Sequence, residues 1–178
     1  MKRAFIVLCF FAATSILAAD PALGLWKSID EKTGEVTGVW EVYTEGGKLF
    51  GKMLVCVGNA PDAAAIECTK DYPGFPKKGN VSNMPLVGTP FIFNLVKKSE
   101  GSWHKGNIID PGNGKCYQCR IMFRKANGKK YKVDKLEMRG ELALGIGRSQ
   151  FWVRSSMAEV KSLTASNTYP AGYKKATE

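Results

Sequence analysis

Lys115-Cys116-Tyr117-Gln118-Cys119-Arg120-Ile121-Met122-Phe123-Arg124-Lys125 alternates without a break: Tyr117, Cys119, Ile121 and Phe123 share one face, Gln118, Arg120, Met122 and Arg124 the other. A period of two with one apolar face belongs to an antiparallel strand wet on one side. Outward from it the pattern repeats, with Phe91, Phe93 and Leu95 forming one set and Trp40 and Val42 another. The intervening segments are turn signals: Lys32-Thr33-Gly34, Glu45-Gly46-Gly47, Ser99-Glu100-Gly101, Asp110-Pro111-Gly112-Asn113-Gly114 and Ala126-Asn127-Gly128. Each supplies residues that accept positive φ or tight turning, as hairpins require. The spacing predicts eight strands, near 25–30, 36–44, 48–57, 89–97, 102–109, 115–125, 131–139 and 147–154.

No amphipathic helical run interrupts the series, so a helix-covered parallel sheet is excluded. Eight successive hairpin strands form a meander, and closing it removes both exposed edges. The expected architecture is therefore all-β: a single eight-stranded antiparallel up-and-down barrel over residues 20–154, with room inside for packed side chains or one small ligand. Residues 58–88, rich in Pro, Gly, Ala and Lys, form one long loop, which in a compact domain is usually functional, such as a lid, or mobile. A C-terminal tail, 155–178, follows, with one short helix or none. Neither an internal repeat nor a second domain is apparent.

Ahead of the barrel, Met1-Lys2-Arg3 leads into an apolar run that reaches Leu17 and meets Ala18-Ala19 before Asp20-Pro21. A basic start, a short apolar core and small residues at the exit describe a secretory signal peptide over 1–19. The run is too short for a membrane-spanning helix, and Cys9 lies within it. The mature protein is then expected outside the cytoplasm, periplasmic or secreted. Removing Lys2 and Arg3 lowers the formal net charge from +10 to +8. For an exported protein this excess argues against nucleic acid and for a solvated surface, with weak attraction to an anionic envelope surface as the sharper alternative.

Gly24-Leu25-Trp26 opens the first strand and Trp152-Val153-Arg154 closes the last. Closure sets these strands side by side, so Arg154 can stack on Trp26, a cation–π contact worth about 0.5–2 kcal/mol. This pair resembles the Gly-X-Trp and closing Arg of the lipocalins. A broader order runs through Gly47-Lys48-Leu49-Phe50-Gly51-Lys52, Pro85-Leu86-Val87-Gly88, Trp103-x-x-Gly106-x-Ile108-x-Asp110-Pro111-x-x-Gly114-x-x-Tyr117-x-Cys119, Arg139-Gly140 and Gly147-Arg148-x-Gln150-x-Trp152-x-Arg154. From Gly24 to Arg154 it resembles an uncharacterised bacterial family, the domain-of-unknown-function family 2147. That resemblance implies export and a lipocalin-like fold, and brings neither a reaction nor a catalytic residue.

Cys56, Cys68, Cys116 and Cys119 remain after signal removal, an even number that favours disulfides in an oxidising compartment. In a regular strand Cys116 and Cys119 point to opposite faces with Cα atoms about 10 Å apart, beyond disulfide reach. This disfavours redox and zinc readings of the CxxC. The expected bridge is Cys56 to Cys68, tying the base of the long loop, with Cys68 to Cys116 as the other pairing considered. His104, the only histidine, has no partner set by spacing, and Glu41, Asp110, Glu137 and Glu141 offer no obvious carboxylate pair. No catalytic residue, metal site or cofactor is assigned.

Trp40, Phe91, Phe93, Tyr117, Phe123 and Trp152 are expected to line the interior, either as core or as the walls of an apolar pocket. Gln150 shares parity with Trp152 and would supply a polar group there, as would Arg148 and Arg154. The reading is a binding protein for a small hydrophobic or amphipathic ligand, such as a fatty acyl chain, entering near the long loop. Its rivals are a packed-barrel structural or interaction protein and, behind that, a hydrolase or isomerase working in the barrel mouth. The oligomeric state is not legible.

Overall fold

The structure, a computed structural model, describes residues 19–142 and 145–177. The expected signal segment, apart from Ala19, lies outside them. The strands are β1 Gly24–Ile29, β2 Val36–Glu45, β3 Lys48–Cys56, β4 Ile92–Ser99, β5 Ser102–Asp110, β6 Lys115–Arg124, β7 Lys135–Glu141 and β8 Gly147–Arg154, followed by α1, Met157–Ser166. Each strand pairs antiparallel with the next, and β8 returns to β1 through Trp26↔Arg154 and Lys27↔Val153, closing the barrel.

Two strands start later than their sequence pattern implies. The run ahead of β4 contains Pro90, which has no N–H to give a ladder, so regular pairing begins at Ile92. Residues 127–134 stay out of β7 because Asn127 Oδ1 accepts the amides of Lys129 and Tyr131, while Asp134 Oδ1 accepts that of Ala126. These side-chain bonds give the backbone an alternative to the sheet.

Cross-strand partners share a face, which sorts the barrel wall. Trp26↔Trp40, Trp40↔Met53, Ile92↔Ile108, Ile108↔Tyr117, Ile121↔Met138 and Leu136↔Trp152 all point inward. The alternation breaks at Asn94, whose φ is +63°, and at Lys105, whose φ is +58°. At each, one strand carries an extra residue against its neighbour, between Leu49/Gly51 and between Trp103/Gly106, which is a β-bulge. Ile92 and Leu95 consequently both face inward, and Phe93 faces outward. Phe75 of the long loop covers it, ring edge to face at 5.4 Å.

The long loop is thoroughly packed. Ala60, Ala63, Ala64, Ala65, Cys68 and Met84 are buried, most of them in the same apolar cluster as the barrel interior. Tyr72 donates its hydroxyl to the Gly114 carbonyl at 2.8 Å. Gly114, at φ +64°, sits so close beneath the loop that a Cβ there would run into the Glu67 carbonyl oxygen. A glycine is required at this crossing for both reasons.

The tail is fastened to the same loop. Helix α1 is capped by Ser156, which accepts from the Glu159 amide, and it lays Val160 on Val39 and Val55 of the outer barrel face. Lys27 pairs with Glu159. Beyond the helix, the Ala64 amide donates to the Lys174 carbonyl and the Ala176 amide to the Asp62 carbonyl, both at 2.8 Å.

Candidate functional site

The two barrel ends differ. At one end Asp20 to Leu23 fold across the opening. The Trp26 indole N–H donates to the Ala22 carbonyl at 2.9 Å, and the Arg154 guanidinium lies over the Trp26 ring at 3.8 Å and near Phe123 at 5.9 Å. Arg154 also donates to the carbonyls of Leu23 and Pro21. Asp20 accepts from the amides of Ala22 and Gly101 and pairs with Lys97. Burial alone would raise its pKa; these donors outweigh it and hold the carboxyl below its ordinary value. This end is shut.

At the other end, between the β5–β6 and β7–β8 connections, the barrel holds a cavity of about 500 Å³. That lies within the usual range for small-molecule sites. Trp40 and Trp152 stack in its wall with centroids 5.1 Å apart and planes at 19°. Ile108, Tyr117 and Met138 add apolar surface. Gly140 leaves space, because its missing side chain would stand against Tyr117 and Ile108 at 3.4 and 3.6 Å. Leu142 and Ile146 form an exposed apolar rim, 54% and 68% accessible.

Polar groups are few. Gln150 Oε1 accepts from the Trp152 indole at 3.0 Å. Arg148 reaches Glu31 at 3.2 Å. Both oxygens of Asp110 are held within its own turn, by the Gly112 amide and the Asn113 side chain.

Of the residues expected in a pocket, Trp40, Tyr117, Gln150 and Trp152 line this cavity together. Phe91 and Phe93 are fully buried but not in its lining, Phe93 because the Asn94 bulge turns it outward. Phe123 belongs to the closed end, 6.3 Å from Trp26. No described lining residue comes from 58–88; the opening lies beside the β5–β6 and β7–β8 turns, the first of which the long loop covers at Gly114. Asp110, Met138, Gly140 and the Leu142/Ile146 rim were missed; the inward parity of Met138 opposite Gln150 was the available signal.

The expected Cys56–Cys68 bridge is absent: all four described cysteines are free thiols. Cys56, at the end of β3, accepts from Asn59 Nδ2 at 3.4 Å, whereas Cys68 is drawn under the β5–β6 turn with Tyr72 and Gly114. The packed loop and its bonds to the tail do the fastening that a bridge was expected to do. Burial pushes every thiol up, Cys68 to about 11, the reverse of what a reactive thiolate needs. Cys116 is exposed and Cys119 buried on the opposite face.

The other titratable residues are engaged individually. His104 Nε2 lies 2.9 Å from Ser102 Oγ, and burial, then Lys98 and Arg120, lower its pKa. Glu41 pairs with Lys52, Glu137 with Arg124, and Glu141 with Arg120 and Arg139. Among the described residues no group of three or more His, Cys, Asp or Glu could hold a metal ion. No described helix is long and apolar enough to cross a membrane.

Comparison with known proteins agrees with this geometry. In fold, the chain is similar to protein HP1028 from the human pathogen Helicobacter pylori, described as belonging to the lipocalin family, with a TM-score of 0.58 and 19% identity over 80% of this chain and 88% of that one. No curated protein matches the sequence. Residues 24–154 match the family described as uncharacterised proteins conserved in bacteria, so the chain, a closed lipocalin-like barrel, belongs to the DUF2147 family.

Proposed function

We propose that the protein is exported and binds a small hydrophobic or amphipathic molecule at the open end of its barrel. One observation carries this reading: the cavity of about 500 Å³ walled by Trp40, Trp152, Ile108 and Met138. A barrel used only as a packed structural unit would fill that volume with side chains, as the opposite end does. Apolar walls with a small number of polar groups are the usual composition of a ligand site, and binding requires no catalytic residue.

A second observation favours a role for the closed end. Lys125, Lys129, Lys130 and Lys132 are all exposed in the β6–β7 connection there, with Asp134 as the only acid. The β1–β2 turn at the open end carries Asp30, Glu31 and Glu35 against Lys32. This polarity suits weak contact of the closed end with an anionic envelope surface while the cavity faces away.

Native mass spectrometry of protein purified from an exporting host, compared with its denatured mass, tests the binding reading. The expected result is a native mass excess that disappears in Gly140→Leu, whose side chain would occupy the cavity. No excess, together with no fluorescence enhancement of the neutral probe N-phenyl-1-naphthylamine, would return the protein to the packed-barrel reading.

A further inference from the structure

Resting on the binding reading, we infer that the cavity selects molecules whose polar end is a hydrogen-bond acceptor, a carboxylate foremost, with an apolar body against the tryptophan pair. The deciding group is Gln150. Indole nitrogen can only donate, so the 3.0 Å contact from Trp152 Nε1 fixes which limb of the Gln150 amide is oxygen. The amide nitrogen has no partner among the described residues and is the limb left for a ligand.

The remaining polar surface has the same sense. The Trp40 indole N–H and the Tyr117 hydroxyl have no hydrogen-bond partner among the described residues, and both side chains line the cavity. Arg148 contacts Glu31 through one guanidinium nitrogen, and its side chain is 69% exposed at the rim, leaving donors free. The only carboxylate in the described lining is Asp110, and each of its oxygens already accepts one bond from its own turn. Among the described side chains, donors without a partner outnumber acceptors without one. Apart from the Tyr117 hydroxyl, an ammonium-headed molecule would find only side-chain acceptors that already take a bond, whereas a carboxylate would find several unpartnered donors and form charge-assisted bonds.

The position of these groups adds a direction. Trp40, Trp152 and Met138 are nearly buried, while Arg148 lies at the exposed edge. An acceptor-headed molecule therefore enters with its apolar end first and leaves its head between Gln150 and Arg148.

The test is displacement of N-phenyl-1-naphthylamine from the full mature chain by two molecules of equal chain length, decanoate and decylammonium. Decanoate is expected to displace the probe at a concentration about tenfold lower, the value of one good charged hydrogen bond. Gln150→Leu should bind the probe and lose most of that preference. Because the leucine also strands the Trp152 N–H, Gln150→Glu provides a second variant that keeps an acceptor for the indole; it should reverse the preference toward decylammonium. Equal displacement by the two molecules in the wild type, or a preference unchanged in both variants, would overturn the acceptor-head inference while leaving the binding reading intact. Failure of the wild type to bind the probe at all would remove both.

Discussion

Arg154 closes the barrel through three contacts at once: its guanidinium over Trp26 and its two donations to the Leu23 and Pro21 carbonyls. The two carbonyls lie before the first strand, so Arg154 ties the final strand to a segment that no strand pairing holds. The residue is partly solvated, which limits the value of each contact. Arg154→Ala is expected to cost about 1–2 kcal/mol, lowering Tm by about 3–6 °C in a domain of this size. Thermal denaturation followed by circular dichroism reads this directly, and an unchanged Tm would show that the seam closes without the arginine. Glu137 acts through charge instead. Burial would raise its pKa, but Arg124 and Ser149 donate to it and hold it below the ordinary 4.5. A depressed folded-state pKa contributes stability above the unfolded value, and that contribution is lost as pH falls through the folded value. Glu137→Gln should therefore be less stable than wild type at pH 6, with the gap narrowing toward pH 3. A gap independent of pH would assign the loss to packing.

At the scale of elements, the long loop and the tail stabilise each other, and this is the relation hardest to read from sequence. Asn167, just past α1, donates to the carbonyls of Cys56 and Asn59 and accepts from the Gly58 amide. It clamps the root of a loop that begins more than a hundred residues earlier. Asn167→Ala should leave the barrel folded while making bonds within 58–88 cleave faster under limited proteolysis; equal cleavage would place the clamp elsewhere. The strands were legible because period-two alternation and glycine turns are local signals, and the Tyr117-to-Phe123 face survives intact. Phe93 was misread because a bulge at Asn94 adds one residue to the count, and nothing in the hydrophobic pattern announces it. Helix α1 has a weak apolar stripe, Val160 and Leu163 against the barrel, although Ser156 and Glu159 already had the spacing of a helix start. Tyr117, Gln150 and Trp152 followed from parity on β6 and β8, and Trp40 from parity on β2. The rest depends on which end the chain closes, a decision made by tertiary contacts of Asp20 to Leu23.

For the whole molecule, closure creates two unlike ends, and charge follows that division. One end is sealed by Trp26, Arg154 and the segment ahead of β1, and it carries the exposed lysines of the β6–β7 connection. The other holds the cavity, with Asp30, Glu31 and Glu35 set against Lys32 in the β1–β2 turn and Arg148 at the rim. A uniformly basic surface would bind an anionic bilayer in any orientation and would be equally sensitive to every lysine. A polar distribution localises the effect. Each lysine near such a surface is worth about 1 kcal/mol, so removing two from one loop should weaken binding about thirtyfold. Co-sedimentation with vesicles containing phosphatidylglycerol should accordingly fall sharply for Lys129→Gln with Lys130→Gln. It should change little for Lys174→Gln with Lys175→Gln in the tail, which removes the same charge from a different site. Equal loss in both pairs would mean that net charge alone acts. Wild-type binding that is insensitive to salt would mean that the contact is not electrostatic. If the asymmetry holds, ligand displacement by decanoate should proceed unchanged on vesicle-bound protein, because the surface and the cavity lie at opposite ends of the barrel.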